Sequence, residues 1–231
     1  ISFSMVNGVA VYGGFNGTES QLSQRNRATN VTTLSGDIGL PGINSDNSLH
    51  VINNIVNGLT NSAILDGFVI TGGYADSGGS ALQVGGGMRN VQVSPTISNC
   101  IFSNNAAGYN GGAISNTASS PILINCSFYA NSATYSGGAI DNYSSYPIIK
   151  NCSFSGNVSN AGLGAIQNNS STSTLTNCIL WGNSSGIATA NDGSAIVTYS
   201  IVEGGYPGTG NSSANPLFVN QPSISLGSAG D

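Results

Sequence analysis

The residues that could carry acid–base or metal chemistry are few and widely spaced. Among 231 residues the sequence has nine Asp and Glu, four Lys and Arg, and one histidine. Glycoside hydrolysis needs two carboxylates about 5 to 10 Å apart. Between residues 85 and 183 the only charged residues are Arg89, Asp141 and Lys150. This stretch predicts no catalytic pair, and we expect the chain not to be an enzyme.

The acidic residues upstream are candidates for a different chemistry. Asp37 and Asp46 lie in a segment rich in Gly and Asn and are candidate Ca²⁺ ligands, because calcium prefers such oxygen donors. The frequency of Asp in turns favours the alternative that both cap turns of a surface loop. A polysaccharide lyase or hydrolase would need three of Asp37, Asp46, Asp66 and Asp76 within about 6 Å around calcium. We predict no metal site and no cofactor.

The four cysteines carry the clearest pattern in the sequence. They are evenly spaced, each standing at position i+26 relative to the one before, which indicates an internal repeat. Cysteines in such a line do not form the tetrahedron of a zinc site, and the torsion of a disulfide is awkward between parallel neighbours. We therefore expect buried free thiols at Cys100, Cys126, Cys152 and Cys178.

Other residue types share this period. Asparagines precede the cysteines at Asn99, Asn125, Asn151 and Asn177, and large apolar residues follow at Phe102, Phe128, Phe154 and Leu180. Two further Asn columns begin at Asn90 and Asn105. The apolar runs are short, rich in Ile, Val and Phe, and bounded by Gly, Asn, Ser or Pro, which indicates short strands and turns. One such unit is too small to bury its own apolar face, so the units must stack.

Stacking residue i over residue i+26 produces a parallel β-solenoid, in which each column becomes a ladder of like side chains. We predict an all-β fold of one continuous domain over residues 1–231, with irregular N-terminal coils in 1–84, regular 26-residue repeats in 85–183 and irregular C-terminal coils in 184–231. Apolar ladders should fill the interior, and asparagines should occupy corners, where they tolerate left-handed backbone and hydrogen-bond along the stack. Eight or nine coils would form a rod about 40 Å long.

The flanking coils are placed by analogy with the regular repeats. Gly67 is predicted in the cysteine position of an earlier coil, with Asp66 in the column of Asn99 and about seven extra residues within 74–81. Ser200 is predicted in the cysteine position of the coil after Cys178.

The column of Arg89 also contains Asp141. The two are predicted to lie two coils apart, about 9.6 Å, which is too far for an ion pair.

Aromatic residues mark a candidate binding surface. Tyr109 and Tyr135 stand one repeat apart in equal loops, and Tyr143 and Tyr146 follow on the next corner. Aromatic faces beside Asn amides suit carbohydrate rings, so these four tyrosines are candidate glycan contacts. Plain packing of the loops is the alternative.

Two further groups of residues could in principle bind a ligand or act as a base. Arg25 and Arg27, with Glu19 nearby, could clamp a carboxylated ligand. We prefer the alternative in which this polar stretch wraps the first coils with ordinary ion pairs. His50 has no matched cysteine or carboxylate spacing, so we assign it no ligand or base role.

Paired motifs give a resemblance to known proteins. Phe102-Ser-Asn-Asn with Gly111-Gly-Ala-Ile, and Phe128-Tyr-Ala-Asn with Gly137-Gly-Ala-Ile, resemble the repeats of chlamydial polymorphic outer-membrane proteins. They are also similar to the right-handed β-helix regions of large secreted bacterial surface proteins, whose leading segment resembles Val11-Tyr-Gly-Gly-Phe. The resemblance implies a right-handed helix, a secreted or cell-surface location, and an adhesive or structural role. It carries over no catalytic residue.

Composition limits the partners. Charged residues make up 6% of the chain and the net charge is −5, so no basic patch can form and we expect no nucleic-acid partner. No apolar run approaches ~18 residues, so we predict no membrane insertion by this segment. The open strand edges of a solenoid are either covered by flanking sequence or used for end-to-end self-association.

The function that these observations predict is that of a non-catalytic extracellular or cell-surface rod with a structural or adhesive role. Its expected partners are glycans, a host or neighbouring cell surface, or further copies of the chain. The alternative is a β-helix that binds or degrades polysaccharide.

Overall fold

The computed structural model describes residues 2–218, and nearly all of its regular structure is short parallel strand. Two single-turn 3₁₀ helices, Leu22–Gln24 and Asn44–Asp46, are the only helices in this range. The first twelve strands are β1 (Ala10–Tyr12), β2 (Thr32–Ser35), β3 (Ile52–Ile55), β4 (Ile64–Asp66), β5 (Phe68–Thr71), β6 (Tyr74–Ala75), β7 (Met88–Val91), β8 (Thr96–Ser98), β9 (Ile101–Ser103), β10 (Ala106–Ala107), β11 (Ile114–Thr117) and β12 (Ile122–Ile124). The second twelve are β13 (Ser127–Tyr129), β14 (Ser132–Ala133), β15 (Ile140–Tyr143), β16 (Ile148–Lys150), β17 (Ser153–Ser155), β18 (Val158–Ser159), β19 (Ile166–Asn169), β20 (Thr172–Thr176), β21 (Ile179–Leu180), β22 (Ile187–Ala190), β23 (Ser194–Thr198) and β24 (Ile201–Val202).

The strands form four parallel sheets that share one axis. Sheet I has the order β1-β4-β8-β12-β16-β20-β23, and sheet II the order β2-β5-β9-β13-β17-β21-β24. Sheet III has the order β18-β14-β10-β6, and sheet IV the order β22-β19-β15-β11-β7-β3. Each coil of the chain passes through the sheets in turn, so the molecule is a parallel β-helix.

The regular repeats stack in the predicted register. Ile114 pairs with Ile140, Leu123 with Ile149 and Phe128 with Phe154, so the members of each pair are one repeat apart. Inward and outward side chains alternate along each strand, so these apolar columns face the interior. Phe128 stacks on Phe154 with ring centroids 4.7 Å apart. The interior is therefore filled by columns of like apolar side chains, and each coil adds the same side-chain contact to every column.

Single left-handed residues turn the chain between sheets I and II. They are Asn99, Asn125, Asn151 and Asn177, with φ between 53° and 55°. Asn tolerates this conformation better than most residues. Asn125 Nδ2 donates to Asn99 Oδ1 at 3.3 Å, and Asn151 Nδ2 donates to Asn125 Oδ1 at 3.0 Å. This column therefore has the corner geometry predicted from the sequence.

The side chains of the other two Asn columns point into the interior. Asn90 lies within strand β7, which corrects the expectation of a corner position for its column, whereas Asn105 lies in the turn between β9 and β10. The column of Asn90 extends upstream to Asn54, and the amide of Asn116 donates to Asn142 Oδ1 at 2.9 Å. In the column of Asn105, Asn131 Nδ2 donates to Asn157 Oδ1 at 2.9 Å. Both columns are buried. Burial is tolerated because each amide finds its partner in the next coil.

The coil before the regular repeats differs from the predicted alignment by one residue. Val69 pairs with Ile101, so Phe68, not Gly67, occupies the cysteine column. Asp66 pairs with Ser98 and is therefore not in the column of Asn99. Gly67 takes that corner instead, with a φ of 84°, because the turn needs a left-handed residue.

The insertion in this coil is also shifted. Ala75 pairs with Ala107, which is more than one repeat further along the chain, whereas Val84 pairs with Asn110, which is one repeat further along. Six extra residues, rather than seven, therefore lie between Ala75 and Val84, slightly after the predicted segment 74–81.

Among residues 2–218, sheets I and II each contain seven strands, and β1, β2 and β3 are three sides of one coil rather than separate coils. Isolated parallel bridges from Phe3 to Ile52 and from Ser212 to Ile201 begin a further turn at each end. Seven rungs span about 30 Å at the usual strand spacing. Ser200 lies in the cysteine column as predicted, since Ile201 pairs with Ile179. Residues 219–231 of the predicted C-terminal coils lie outside the described residues.

Candidate functional site

A polar groove runs along the outer face of sheet IV. Its cavity measures about 350 Å³. Arg89, Ser115 and Asp141 form the floor, and Tyr109 and Asn110 line one side. We call it the sheet IV groove.

The floor is a column of outward-facing side chains in register. Asn53 pairs with Arg89, Arg89 with Ser115, Ser115 with Asp141, and Asp141 with Gln167. Residues at this strand position alternate with the inward-facing Ile and Asn columns. The groove therefore follows the axis of the β-helix across the coils that contain Arg89, Ser115 and Asp141.

The wall of the groove is the turn between sheets III and IV. Asn110 and Ser136 form successive bridges in this turn, and an added Cβ at Gly111 would overlap the carbonyl oxygen of Ile114. Gly111 also has a φ of 65°, so glycine is required there for two reasons. The turn consequently lies close over the strand, which leaves Ser115 and Asp141 2% and 5% exposed although they face outward.

Asp141 is a buried carboxyl group without a cationic partner. Burial raises the pKa of Asp141 to about 7, against hydrogen bonds from Ser136 and Asn110 that act to lower the pKa. Ser136 Oγ lies 3.2 Å from Asp141 Oδ1 and 2.9 Å from Asn110 Oδ1. The Ser136 hydroxyl has one hydrogen, so it can donate to only one of these two acceptors. If Ser136 donates to Asn110 Oδ1, the protonated carboxyl group of Asp141 can donate to Ser136 Oγ, and every group in the chain then has a partner.

Three buried polar atoms of this column have no hydrogen-bond partner within residues 2–218. They are Asn53 Oδ1, Arg89 Nε and Gln167 Oε1, and of these three residues only Arg89 lines the groove. Burial lowers the pKa of Arg89. Unpaired buried polar atoms are rare because each costs free energy. Arg89 is therefore the residue of the groove lining whose charge is least compensated by the described residues.

The four predicted glycan contacts are divided between the groove and the surface around it. Tyr109 and Tyr143 both line the groove. Tyr135 stacks on Tyr109 with ring centroids 5.2 Å apart. Tyr146 is 60% exposed and does not belong to the lining. The structure thus places Tyr109 and Tyr143 in the groove lining, with Tyr135 stacked beside the groove on Tyr109.

The candidate calcium ligands occupy turns. Asp37 Oδ2 accepts from the backbone N–H of Gly42 at 3.1 Å, and Asp46 Oδ2 accepts from that of Leu40 at 2.8 Å. Both contacts match the turn-capping alternative. In the described part of the chain no three His, Cys, Asp or Glu residues approach one another closely enough to hold a metal ion. The carboxylate cluster required for the calcium-dependent enzyme is therefore not formed there.

The polar segment before β2 binds the first coils. Arg25 forms an ion pair with Asp66 and lies 5.2 Å from the ring centroid of Tyr12. Asn99 Nδ2 donates to Asp66 Oδ2 at 2.7 Å. Glu19 instead accepts from the backbone N–H of Asn16 at 2.9 Å. These contacts agree with the structural alternative rather than with a ligand clamp.

His50 and the cysteines are buried away from solvent. His50 Nδ1 lies 3.1 Å from the carbonyl oxygen of Gly85, and burial lowers the pKa of His50. The four cysteines form one buried column of free thiols. Each thiol donates to the backbone carbonyl two residues earlier, as from Cys126 Sγ to Ile124 O at 3.3 Å. Burial raises the pKa of Cys178, which favours the unreactive thiol form.

Sequence reasoning found the Arg89–Asp141 column but not the site. The shared column was visible in the spacing, and the lack of an ion pair between the two was predicted correctly. The signal that could have revealed the groove is the Gly-Gly pair at 111–112, which brings the turn down over that column.

The chain belongs to the right-handed β-helix family. The family described as "Right handed beta helix region" matches residues 39–221. The match establishes the handedness of the solenoid and confirms the predicted fold class. Neither a curated protein nor a solved structure matches the chain. The finer resemblance to chlamydial outer-membrane repeats stays a prediction.

The helices of the described residues are both single turns. Among residues 2–218, no helix has the length and apolar character to cross a membrane.

Proposed function

We propose that this β-helix is a non-catalytic, adhesive part of an extracellular or cell-surface protein and that it binds glycan chains along the sheet IV groove. The observation that carries the proposal is the groove itself. Stacked tyrosines stand at its side, and its floor contains Arg89, which has no ion-pair partner among residues 2–218. An elongated groove along the axis of a stiff rod suits an extended polymer, because successive coils offer successive contacts.

The proposed location is supported by the motifs quoted above. The resemblance to repeats of bacterial surface proteins supports a secreted or surface-exposed molecule. The low content of charged residues supports contacts made by hydrogen bonds and aromatic faces, which salt screens little.

Binding without cleavage is favoured over degradation. Asp141 is the only carboxylate that lines the groove among the described residues, whereas glycoside hydrolysis uses two. We expect glycans exposed to the protein to be recovered with unchanged length.

Glycan-array binding tests the proposed function. Tyr109→Ala should weaken binding roughly tenfold, since loss of an aromatic contact of this kind costs on the order of 1 to 2 kcal/mol. Tyr146→Ala is the matched control, because Tyr146 is exposed and lies outside the groove lining. Thermal melts of both variants verify that the fold persists. Absence of binding to every glycan, or equal loss in the two variants, would show that the groove is not a glycan site.

A further inference from the structure

We propose that the sheet IV groove selects glycans that carry an anionic group, a carboxylate or a sulfate, through Arg89, and that the groove takes up a proton at Asp141 when such a ligand binds. This inference rests on the proposed function. It specifies the class of ligand and a control of affinity by pH, neither of which the fold family implies.

Arg89 is the anion-binding group. It is the only cation in the groove lining, and it makes no ion pair or hydrogen bond with residues 2–218. Its Nε is buried without a partner among residues 2–218, but the side chain as a whole is only half-buried and lines the groove. A guanidinium binds carboxylate and sulfate oxygens through two parallel N–H groups. An anionic substituent in the groove would supply acceptors to the accessible part of the Arg89 side chain and offset the burial of its charge.

The surroundings of Arg89 favour binding of an anionic group of a ligand, because the groove lining offers Arg89 no ion-pair partner. The six-residue insertion places Ser80, Ala81 and Val84 in the groove lining, and none of these side chains is charged. Asp141 is separated from Arg89 by Ser115 and stands two rungs away, about 10 Å at the usual strand spacing. The groove therefore presents one positive group that its own carboxylate does not pair with.

Asp141 controls the net charge of the groove. When Asp141 is ionised, the groove contains one positive and one negative group, and a bound anion is repelled by the carboxylate. When it is protonated, the groove carries one positive charge. Ser136 Oγ lies between Asn110 Oδ1 and Asp141 Oδ1, so it can accept a hydrogen bond from the neutral acid while it donates to Asn110. A bound anion raises the cost of ionisation further, so binding and protonation support each other.

The other ionisable groups around the groove are the phenols of Tyr109, Tyr135 and Tyr143, and His50 interacts electrostatically with Arg89. Burial, and to a lesser degree the charge of Arg89, lowers the pKa of His50, whereas burial raises the pKa of Asp141 to about 7. A proton taken up near pH 7 is therefore assigned to Asp141.

Calorimetric titration of the full chain tests this inference with four probes. They are oligosaccharides of hyaluronan, which carry carboxylates; their carboxyl methyl esters; oligosaccharides of keratan sulfate, which carry sulfate without carboxylate; and neutral cellohexaose. We expect the anionic probes to bind on the order of tenfold more tightly at pH 5.5 than at pH 8.5, while neutral probes do not change. Near pH 7, titrations in buffers of different ionisation enthalpy should reveal uptake of up to one proton.

Two variants separate the effect of Arg89 on ligand preference from the effect of Asp141 on pH dependence. Arg89→Gln should remove the preference for anionic over neutral probes, and Asp141→Asn should bind at pH 8.5 as tightly as the unsubstituted protein does at pH 5.5. Lys150→Gln and Asp192→Asn are the matched charge controls, because both residues are exposed and lie outside the groove lining. Neither control should change the preference or the pH dependence.

The outcomes distinguish this inference from the function on which it rests. Equal binding of esterified and free hyaluronan, with no preference for keratan sulfate, would overturn the inference and leave a neutral-glycan groove. A pH dependence that persists in Asp141→Asn would overturn the role of Asp141. If none of the four probes, the neutral ones included, binds and the glycan array is also blank, the proposed function itself fails. The comparison of hyaluronan with keratan sulfate tells which anion the groove prefers.

Discussion

At the scale of single residues, Asp141 shows how covering an outward-facing side chain changes its chemistry. The strand places the carboxyl group on the surface of the sheet, and the turn at Gly111 then removes it from water. No cation compensates, since the ion pair found among the described residues joins Arg25 and Asp66. The carboxyl group consequently prefers its neutral form, and the free energy of folding depends on pH.

Whether stability rises or falls with pH depends on the direction in which folding shifts the pKa of Asp141. Folding raises the pKa of Asp141 from 3.8 to about 7, so the folded protein binds this proton more tightly than the unfolded chain. The contribution of Asp141 to stability is therefore fully present below about pH 4 and is lost as the pH rises to about 7. The resulting loss in the free energy of unfolding is at most about 4 kcal/mol, and any relaxation of the turn at Gly111 that lets water reach Asp141 reduces this loss.

Urea unfolding between pH 4 and pH 9 measures this contribution. Asp141→Asn should be more stable than the unsubstituted protein at pH 8, and the difference in the free energy of unfolding should shrink toward pH 4. Asp192→Asn, at an exposed position, is the control and should change little over this range. A constant difference between Asp141→Asn and the unsubstituted protein at all pH values would contradict a shifted pKa.

At the scale of the elements, the asparagine ladders explain how short strands of two to five residues hold together. Within sheet IV, Asn90, Asn116 and Asn142 pass one hydrogen bond from coil to coil in the interior. Each amide both donates and accepts, so removal of one member leaves two buried groups unsatisfied. The corner ladder has similar hydrogen bonds, but water reaches it.

Substitution in the two ladders should therefore have different costs. Asn116→Ala leaves Asn90 Nδ2 without its acceptor and Asn142 Oδ1 without its donor, and we expect it to lower the free energy of unfolding by about 2 to 4 kcal/mol. Asn125→Gly removes an exposed amide while keeping the left-handed turn, and should cost about 1 kcal/mol or less. Denaturant titration of both variants measures the difference. Equal costs would mean that the interior ladder adds nothing beyond the corner one.

These elements also explain what the sequence could predict. The even spacing of the repeats determines the register of the apolar, cysteine and corner columns, because stacking places like residues in contact. It does not say which asparagines are interior, since Asn is ordinarily an exposed residue. The alignment of Gly67 was wrong by one because Phe68 fills the cysteine column there, and a bulky residue does not match the small-residue pattern. The groove depends on how closely a turn approaches a strand, which spacing alone does not define.

At the scale of the whole molecule, the two ends of the β-helix are where the strand edges have the fewest hydrogen-bond partners. Among residues 2–218, β23 has one neighbouring strand in sheet I, and no strand pairs with its other edge, which is met only in part by Asn211 Nδ2 donating to Val197 O at 2.9 Å. Ile196 in this strand is 56% exposed, and Asp192 is the only charged residue between 184 and 202. Natural proteins usually protect such edges with charge, bulges or covering segments. An uncharged parallel edge is suited to pairing with the opposite end of another copy, so we expect end-to-end association.

Sedimentation velocity and negative-stain microscopy over a range of concentrations test this expectation. The chain should form longer rods as concentration rises, because head-to-tail pairing of two different ends does not close. Ile196→Lys places a charge on the exposed face of the edge strand and should shift the population to single rods of about 30 Å, the length of seven stacked strands. Tyr146→Lys introduces the same charge on a lateral corner and should leave association unchanged. Single rods for the unsubstituted chain at every concentration would mean that the edges are already protected, and adhesion would then depend on the groove of each molecule alone.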